Sequence, residues 1–291
     1  MESNLYQVQG AGLGLRRVLL KSLVDSLEDQ FPQQVGFMEV APENWIDLGG
    51  AAGRKFASIA DQVPITAHGL SLNIGGSAPL DEVFLQQVKK FLDQYKIDIY
   101  SDHLTYCADD GHLYDLMPIP FTEEAVQHVV ERIRRVEEII ERPFVIENAS
   151  YYAAPSNEMS EIDFINAVLK EADCQLLIDI NNIYVNSINH SYDAEAFMKS
   201  LPGERIAYAH IAGHYNEAED LIIDTHGADI IDPVWKLLEV AYDHFGVFPT
   251  LLERDFNIPP LQDLLDEVDR IVEIQQDFLK KETKENVRQH A

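Results

Sequence analysis

Eight short runs rich in β-branched and apolar residues recur along the chain, separated by segments of helical periodicity, and this alternation most constrains the fold. The runs are GAGLGL (Gly10 to Leu15), VGFMEV, ITAHGLSL, IDIYSDHL, FVIEN, CQLLIDINNIYV, RIAYAHIAG and FPTLLERD. Strands that alternate with helices pair in parallel, and eight is the number that closes a TIM barrel. The expected fold is α/β, a single (β/α)8 barrel over residues 1–279, with a polar C-terminal tail, 280–291, expected to be disordered.

The intervening segments fit that reading. RRVLLKSLVDSLEDQF follows the first run, a helix is expected from Asp81 to Tyr95, and another starts near Thr122 and is stopped by Pro143. PVWKLLEVAYDHF precedes the last strand and PPLQDLLDEVDRIVEIQQDFL closes the barrel. Longer excursions follow the fourth and seventh runs, where loops of the catalytic face belong. The glycines of the first run do not make a dinucleotide loop, because Leu15 stands where the third glycine after Gly10 and Gly12 is required.

Charge narrows the partners. With 50 acidic and 22 basic residues the formal charge is −28, which repels nucleic acid and anionic membranes and favours metal ions or partners with a basic face. Cys107 and Cys174 stand far apart in no metal-type spacing, so neither a disulfide framework nor a zinc ribbon is expected. No export signal or membrane-length apolar run is evident, and a cytoplasmic location is expected.

A metal-type ligand sits at the C-terminal edge of six of the eight runs: His68, His103, Glu147, Asp179, His210 and Glu253. Barrel active sites are assembled at that end, and imidazoles with carboxylates suit iron, zinc or manganese. Asp224 and His226 follow the seventh run, two residues apart, a spacing that places both side chains on one side of an extended segment. Four carboxylates gathered in one mouth repel each other unless several cations compensate, so a multinuclear site is expected. Asn182 is a further candidate ligand. Glu43, Asn44, Asn148 and His214 are read as groups that support the ligands, Asp102 as pointing outward, and Arg254 with Asp255 as an ion pair at the rim.

The stretches HGLSLNIG at His68, SDHL at His103, IENAS at Glu147, DINNIYVN at Asp179, AHIAGH at His210, DTHG at Asp224 and LLERDFNIPPL at Glu253 occur in that order. Read together they resemble the multinuclear non-heme iron-dependent oxidative enzymes, over nearly the whole chain. The resemblance implies a TIM barrel holding two or three irons in mixed ferrous and ferric states, with molecular oxygen as co-substrate. It implies oxidative modification of cysteine residues in a ribosomally made precursor peptide, and a separately encoded partner protein that captures the peptide's leader. It further implies that His68, His103 and Glu147 surround one iron, and that Glu147, Asp179, His210 and Glu253 surround a second. Asp224 and His226, with Asn182, then serve a third.

Two other readings share this ligand pattern. A divalent-metal sugar isomerase or epimerase, or an endonuclease IV-like hydrolase, places the same residue types at barrel strand ends, although the charge disfavours DNA. A non-catalytic metal- or peptide-binding module is the third.

Overall fold

The computed structural model describes residues 8–26, 31–109, 111–153, 156 and 158–289. In chain order β1 (Ala11–Gly14) leads to α1 (Leu20–Ser26), β2 (Phe37–Val40) to α2 (Gly50–Ala60), and β3 (Ile65–His68) to α3 (Glu82–Tyr95). A hairpin of β5 (Thr105–Ala108) and β6 (His112–Pro118) separates β4 (Tyr100–His103) from α4 (Glu123–Ile140). Next come β7 (Phe144–Glu147), α5 (Glu161–Ala172), β8 (Gln175–Asp179), α6 (Ile180–Asn189) and α7 (Ala194–Lys199). Then β9 (Ile206–Ile211) leads through a second hairpin, β10 (Tyr215–Ala218) and β11 (Leu221–Ile223), to α8 (Asp232–Phe245), β12 (Thr250–Leu252) and α9 (Leu261–Gln289).

The eight runs supply the eight strands of one closed barrel, ordered β1-β2-β3-β4-β7-β8-β9-β12 and returning to β1, every pair parallel. Leu13 pairs with Met38 on one side and Leu252 on the other, which closes the ring. Side chains cap the helices that return the chain: Asp81 accepts from Phe84 N, Thr122 from Ala125 N and Ser160 from Asp163 N. Both longer excursions are the hairpins, at the C-terminal ends of β4 and β9. Among the described residues no helix is long and apolar enough to cross a membrane.

Several boundaries differ from the sequence reading, among them the third run, whose strand ends at His68, and the fourth, whose strand starts at Tyr100. The sixth run is not one strand: β8 ends at Asp179 and INNIYV opens α6, because the Asp179 side chain accepts from Asn182 N at 2.7 Å and caps a helix there. The helix after the first strand starts as a 3-10 turn, Arg17–Leu19, before α1; its expected last residues, 27–30, lie outside the described residues. The segment from Lys280, read as a disordered tail, continues α9 to Gln289. KKETKENVRQ holds no Gly or Pro and is rich in Lys and Glu, so nothing in it stops the helix. Residues 290–291 lie outside the described residues.

Period-two alternation along the strands then builds two layers inside the barrel. Phe37, Ile99, Val145, Leu177, Tyr208 and Leu251 form a buried cluster with Val8. Gly12 makes room in it, since a Cβ there would lie 2.6 Å from the Phe37 ring. Two residues further toward the C-terminal ends stand Glu39, Ser101, Glu147, Asp179, His210 and Glu253, all buried. The same spacing takes Thr66 to His68 and Ser101 to His103. One apolar floor therefore carries one polar layer above it.

Candidate metal centre

The polar layer converges on Glu147. Its Oε2 lies 3.0 Å from His68 Nε2 and 3.3 Å from His103 Nε2, and those two ring nitrogens are 3.3 Å apart. Its Oε1 faces the other way, 3.8 Å from His210 Nδ1 and 3.4 Å from Asn182 Nδ2. Asp179 Oδ2 is 4.0 Å from His210 Nδ1 and 3.9 Å from His226 Nε2. Glu253 Oε2 reaches His210 Nδ1 at 2.9 Å and His226 Nδ1 at 3.1 Å. Among the described residues four groups have the reach to hold a cation: His68–His103–Glu147, Glu147–Asp179–His210, Asp179–His226–Glu253 and Glu39–His210–Glu253.

The loop pair joins them. His226 Nε2 is 2.8 Å from Asp224 Oδ1, so the two side chains meet, but not because the segment is extended: β11 ends at Ile223 and His226 takes the left-handed φ of 47°. Asp255 N–H donates to the His226 carbonyl at 2.8 Å and holds that conformation. Gly213 lets the loop descend onto the end of β9, since a Cβ there would lie 2.1 Å from the Ala228 carbonyl oxygen. Asp224 is gripped in turn by Ser150 Oγ and Asn181 Nδ2, both at 2.9 Å.

Of the supporting residues, Asn148 bridges strands, its amide donating to the Asp179 carbonyl at 3.0 Å and accepting from Asp179 N at 2.9 Å. His214 Nδ1 lies 2.7 Å from Asn181 Oδ1 and steadies Asp224 through that amide. Glu43 stays out of the cluster; its Oε1 accepts from Leu70 N at 2.8 Å and Ser71 Oγ at 2.9 Å and pins the loop after β3. Asn44 is exposed on the cleft wall. Asp102 accepts from Leu72 N at 3.1 Å and is buried. Arg254 and Asp255 do not pair with each other, because neighbours on a chain diverge here: Arg254 binds Glu267 at 2.7 Å, while Asp255 binds Arg16.

Glu39 is the residue the sequence reading missed. It is buried, its Oε1 lies 2.9 Å from His210 Nε2, and its Oε2 accepts the Tyr208 hydroxyl at 2.6 Å. An acid inside an otherwise apolar strand was the available signal, since burial of a lone carboxylate is costly unless it has partners.

The electrostatics fit cations. Burial opposes charge on Glu147, yet His103, His68 and His210 hold its pKa down to about 2. Burial also opposes a proton on His103, but Glu147 and Asp102 lift it to about 9. Asp179 goes the other way: burial, with Glu147 and Asp224 beside it, pushes it well above the carboxylate range despite the nearby His226 and His210. A bound cation removes that penalty. Glu147 Oε2, Asp179 Oδ2, Asn182 Oδ1, both His210 ring nitrogens and His226 Nε2 are buried without an aligned hydrogen bond, even where His68 Nε2, Glu253 Oε2 and Asp224 Oδ1 come within 3.0 Å of Glu147, His210 and His226 in turn. Donor atoms that crowd together without aligned protons fit shared cations better than hydrogen-bonded pairs.

A cleft of about 530 Å3 opens over the cluster, its polar floor made by His68, His103, His226 and Glu253 and its walls by Trp45, Leu70, Leu113, Leu116 and Phe256.

Fold and site together define a parallel (β/α)8 barrel whose C-terminal mouth gathers imidazole and carboxylate groups that could hold metal ions. The chain belongs to the RiPP precursor modification enzyme family MbnB/TglH/ChrH, whose model matches residues 10–276. That family acts on ribosomally made precursor peptides. Similar curated relatives carry the name UPF0276 protein: one from Shewanella sediminis is 61% identical, covering 91% of this chain and 94% of the relative, and one from Pseudomonas aeruginosa is 54% identical, covering 92% and 93%. Among solved structures the barrel is similar to 3-keto-D-glucoside 4-epimerase from E. coli (TM-score 0.60, 13% identity, 90% of this chain and 98% of that one). Endonuclease IV from Thermus thermophilus is also similar (TM-score 0.55, 12% identity, 94% and 100%). At these identities the likeness is one of fold.

Proposed function

We propose that this chain oxidises cysteine residues of a ribosomally made precursor peptide, using two or three irons in mixed ferrous and ferric states and molecular oxygen. The observation that carries the proposal is the sharing of Glu147, whose two oxygens face two different groups of candidate ligands, in a chain whose family modifies such peptides. His68, His103 and Glu147 hold one iron in this reading; Glu147, Asp179, His210 and Glu253 hold a second; Asp224 and His226, with the buried carbonyl of Asn182, hold a third. When bound there, iron would supply the binding of the substrate thiolate and the activation of oxygen.

The chain's own groups do the rest. Apolar walls from Trp45, Leu113 and Phe256 take the substrate's side chains, and the bound substrate would exclude water from the cleft. Cys107 also lines the cleft, but burial, with Asp102 and Glu43 nearby, raises its pKa to about 11. In the metal-free protein it therefore stays a thiol at neutral pH. A separately encoded protein that holds the leader completes the proposal; full-rate conversion by the purified chain alone would argue against it.

The test is anaerobic iron loading followed by oxygen and a cysteine-bearing peptide encoded beside the gene, read by mass spectrometry. A mass change confined to a cysteine is expected. Tight zinc or manganese with no oxygen uptake, and no mass change on any such peptide, would instead support a sugar isomerase or hydrolase on this barrel.

A further inference from the structure

Glu39, Ser101 and, in the floor below them, Tyr208 form a chain of buried polar groups that the proposed ligation does not use and that ends on His68. Glu39 Oε2 accepts the Tyr208 hydroxyl at 2.6 Å, the Tyr208 hydroxyl lies 2.8 Å from Ser101 Oγ, and Ser101 Oγ lies 2.8 Å from His68 Nδ1. All four residues are buried. On its other side, Glu39 Oε1 lies 2.9 Å from His210 Nε2, an ionic contact off the axis of the ring N–H. His68 and His210 belong to different candidate cation groups.

The protons in this chain have one consistent arrangement. A carboxylate only accepts, so Tyr208 donates to Glu39; the Tyr208 oxygen then accepts from Ser101, and Ser101 accepts from His68 Nδ1–H. The other acceptor near Ser101, the Ala67 carbonyl, is farther away at 3.4 Å. His68 is thereby protonated at Nδ1 and presents a free Nε2 to Glu147 and His103. At His210 the carboxylate of Glu39 favours the proton on Nε2 and leaves Nδ1 facing Glu147, Asp179 and Glu253.

We infer that Glu39 is a positioning residue for two histidines at once, directly for His210 and through Tyr208 and Ser101 for His68, setting which ring nitrogen of each is free to take a cation. The inference rests on the metal reading of the site. Partners that orient a ligating histidine commonly change metal affinity by about 10–100-fold. Only a carboxylate serves both sides: an amide at position 39 places a donor against either Tyr208 or His210.

Cobalt(II) titration of the metal-free full chain, followed by visible absorption, tests this without relying on turnover. Wild type is expected to take up at least two equivalents with separable spectra. Tyr208→Phe and Ser101→Ala, which break the chain to His68 alone, should each weaken one equivalent by about tenfold or more and leave the others. Glu39→Gln should weaken two. Thr66→Val removes a 3.3 Å contact to Glu39 and a 3.4 Å contact to the Met38 carbonyl, neither of them a link in the chain to His68, and should change neither equivalent. Wild-type isotherms in Tyr208→Phe and Glu39→Gln would overturn the inference, as would equal weakening of every equivalent in all four variants. Failure of wild type itself to bind cobalt would instead overturn the metal reading beneath it.

Discussion

Arg16, just past β1, reaches Glu253, just past β12, with its guanidinium 3.2 Å from Oε1, so the ion pair spans the seam where the barrel closes. That contact occupies the outer oxygen of Glu253 and leaves Oε2 facing His210 and His226. Arg16 also binds Asp255, which lies 3.4 Å from His226 Nδ1. It is a cation set against the acidic rim, with a side chain only 21% exposed.

Arg16→Met is therefore expected to take one counter-charge from two carboxylates and leave them only the nearby histidines. The loss of stability should be about 2 kcal/mol, in the range for hydrogen bonds to charged groups. Chemical denaturation of the metal-free protein measures it. Arg16→Lys, which keeps the charge but not the fork, should recover only part. A stability equal to wild type in Arg16→Met would show that Glu253 is held by something else.

The pH dependence follows from His103. Its pKa is raised from 6.5 to about 9, chiefly by Glu147 and Asp102 working against burial. The stabilisation from this pair is fully present below the unfolded value and is lost as pH rises through about 9. It is on the order of 3 kcal/mol, shared with the depressed Glu147 and not additional to it. Melting of the chelator-treated protein should fall between pH 6.5 and 9.5, whereas the metal-loaded protein, with His103 a neutral ligand, should stay flat over that window. A flat profile for the metal-free protein would remove the imidazolium–carboxylate pairing from the account.

Much of this was legible in the sequence because strand ends are local. His68, His103, Glu147, Asp179, His210 and Glu253 each close an apolar run, and a barrel brings such ends together without further information. Glu39 was not legible in the same way. It sits one residue before the end of β2, and its partners Tyr208 and His210 lie on β9, so only closure reveals the contact. The start of α6 was misread because β-branched residues in INNIYV mask a helix whose evidence is a single cap, Asp179. His226 meets Asp224 by a left-handed backbone that spacing does not encode.

The loop pair, with His103 at 14%, is more solvent-open than the rest of the centre. Asp224 and His226 side chains are 15% and 11% exposed, against 0% for Asp179 and His210. A chelator should accordingly remove one equivalent of metal first, and Asp224→Ala should bind one equivalent fewer than wild type. Elemental analysis after graded chelator treatment reads both. Because the loop is anchored independently by the Asp255 N–H to His226 carbonyl hydrogen bond, the variant's melting temperature in the metal-free state should change little. Simultaneous loss of all metal in Asp224→Ala would mean that the centre assembles as one unit, without a separable arm.

The cleft wall should govern binding more than chemistry. Leu113 and Phe256 line the cleft yet are 41% and 65% exposed, an unfavourable placement for large apolar groups unless something covers them. Neither touches the ligand cluster by hydrogen bond or ion pair. If a peptide side chain covers them in the bound state, Leu113→Ser with Phe256→Ser removes contacts made alike in the ground and transition states, so KM rises while kcat holds. Burial of one large apolar side chain is worth about 1.5–3 kcal/mol, and partial coverage of two should raise KM by about tenfold. Steady-state kinetics with a cysteine-bearing precursor peptide measures the split, with metal content checked on the same sample. A fall in kcat at unchanged KM and full metal loading would place these side chains in the chemical step, and an unchanged pair of constants would move the peptide path to another side of the mouth.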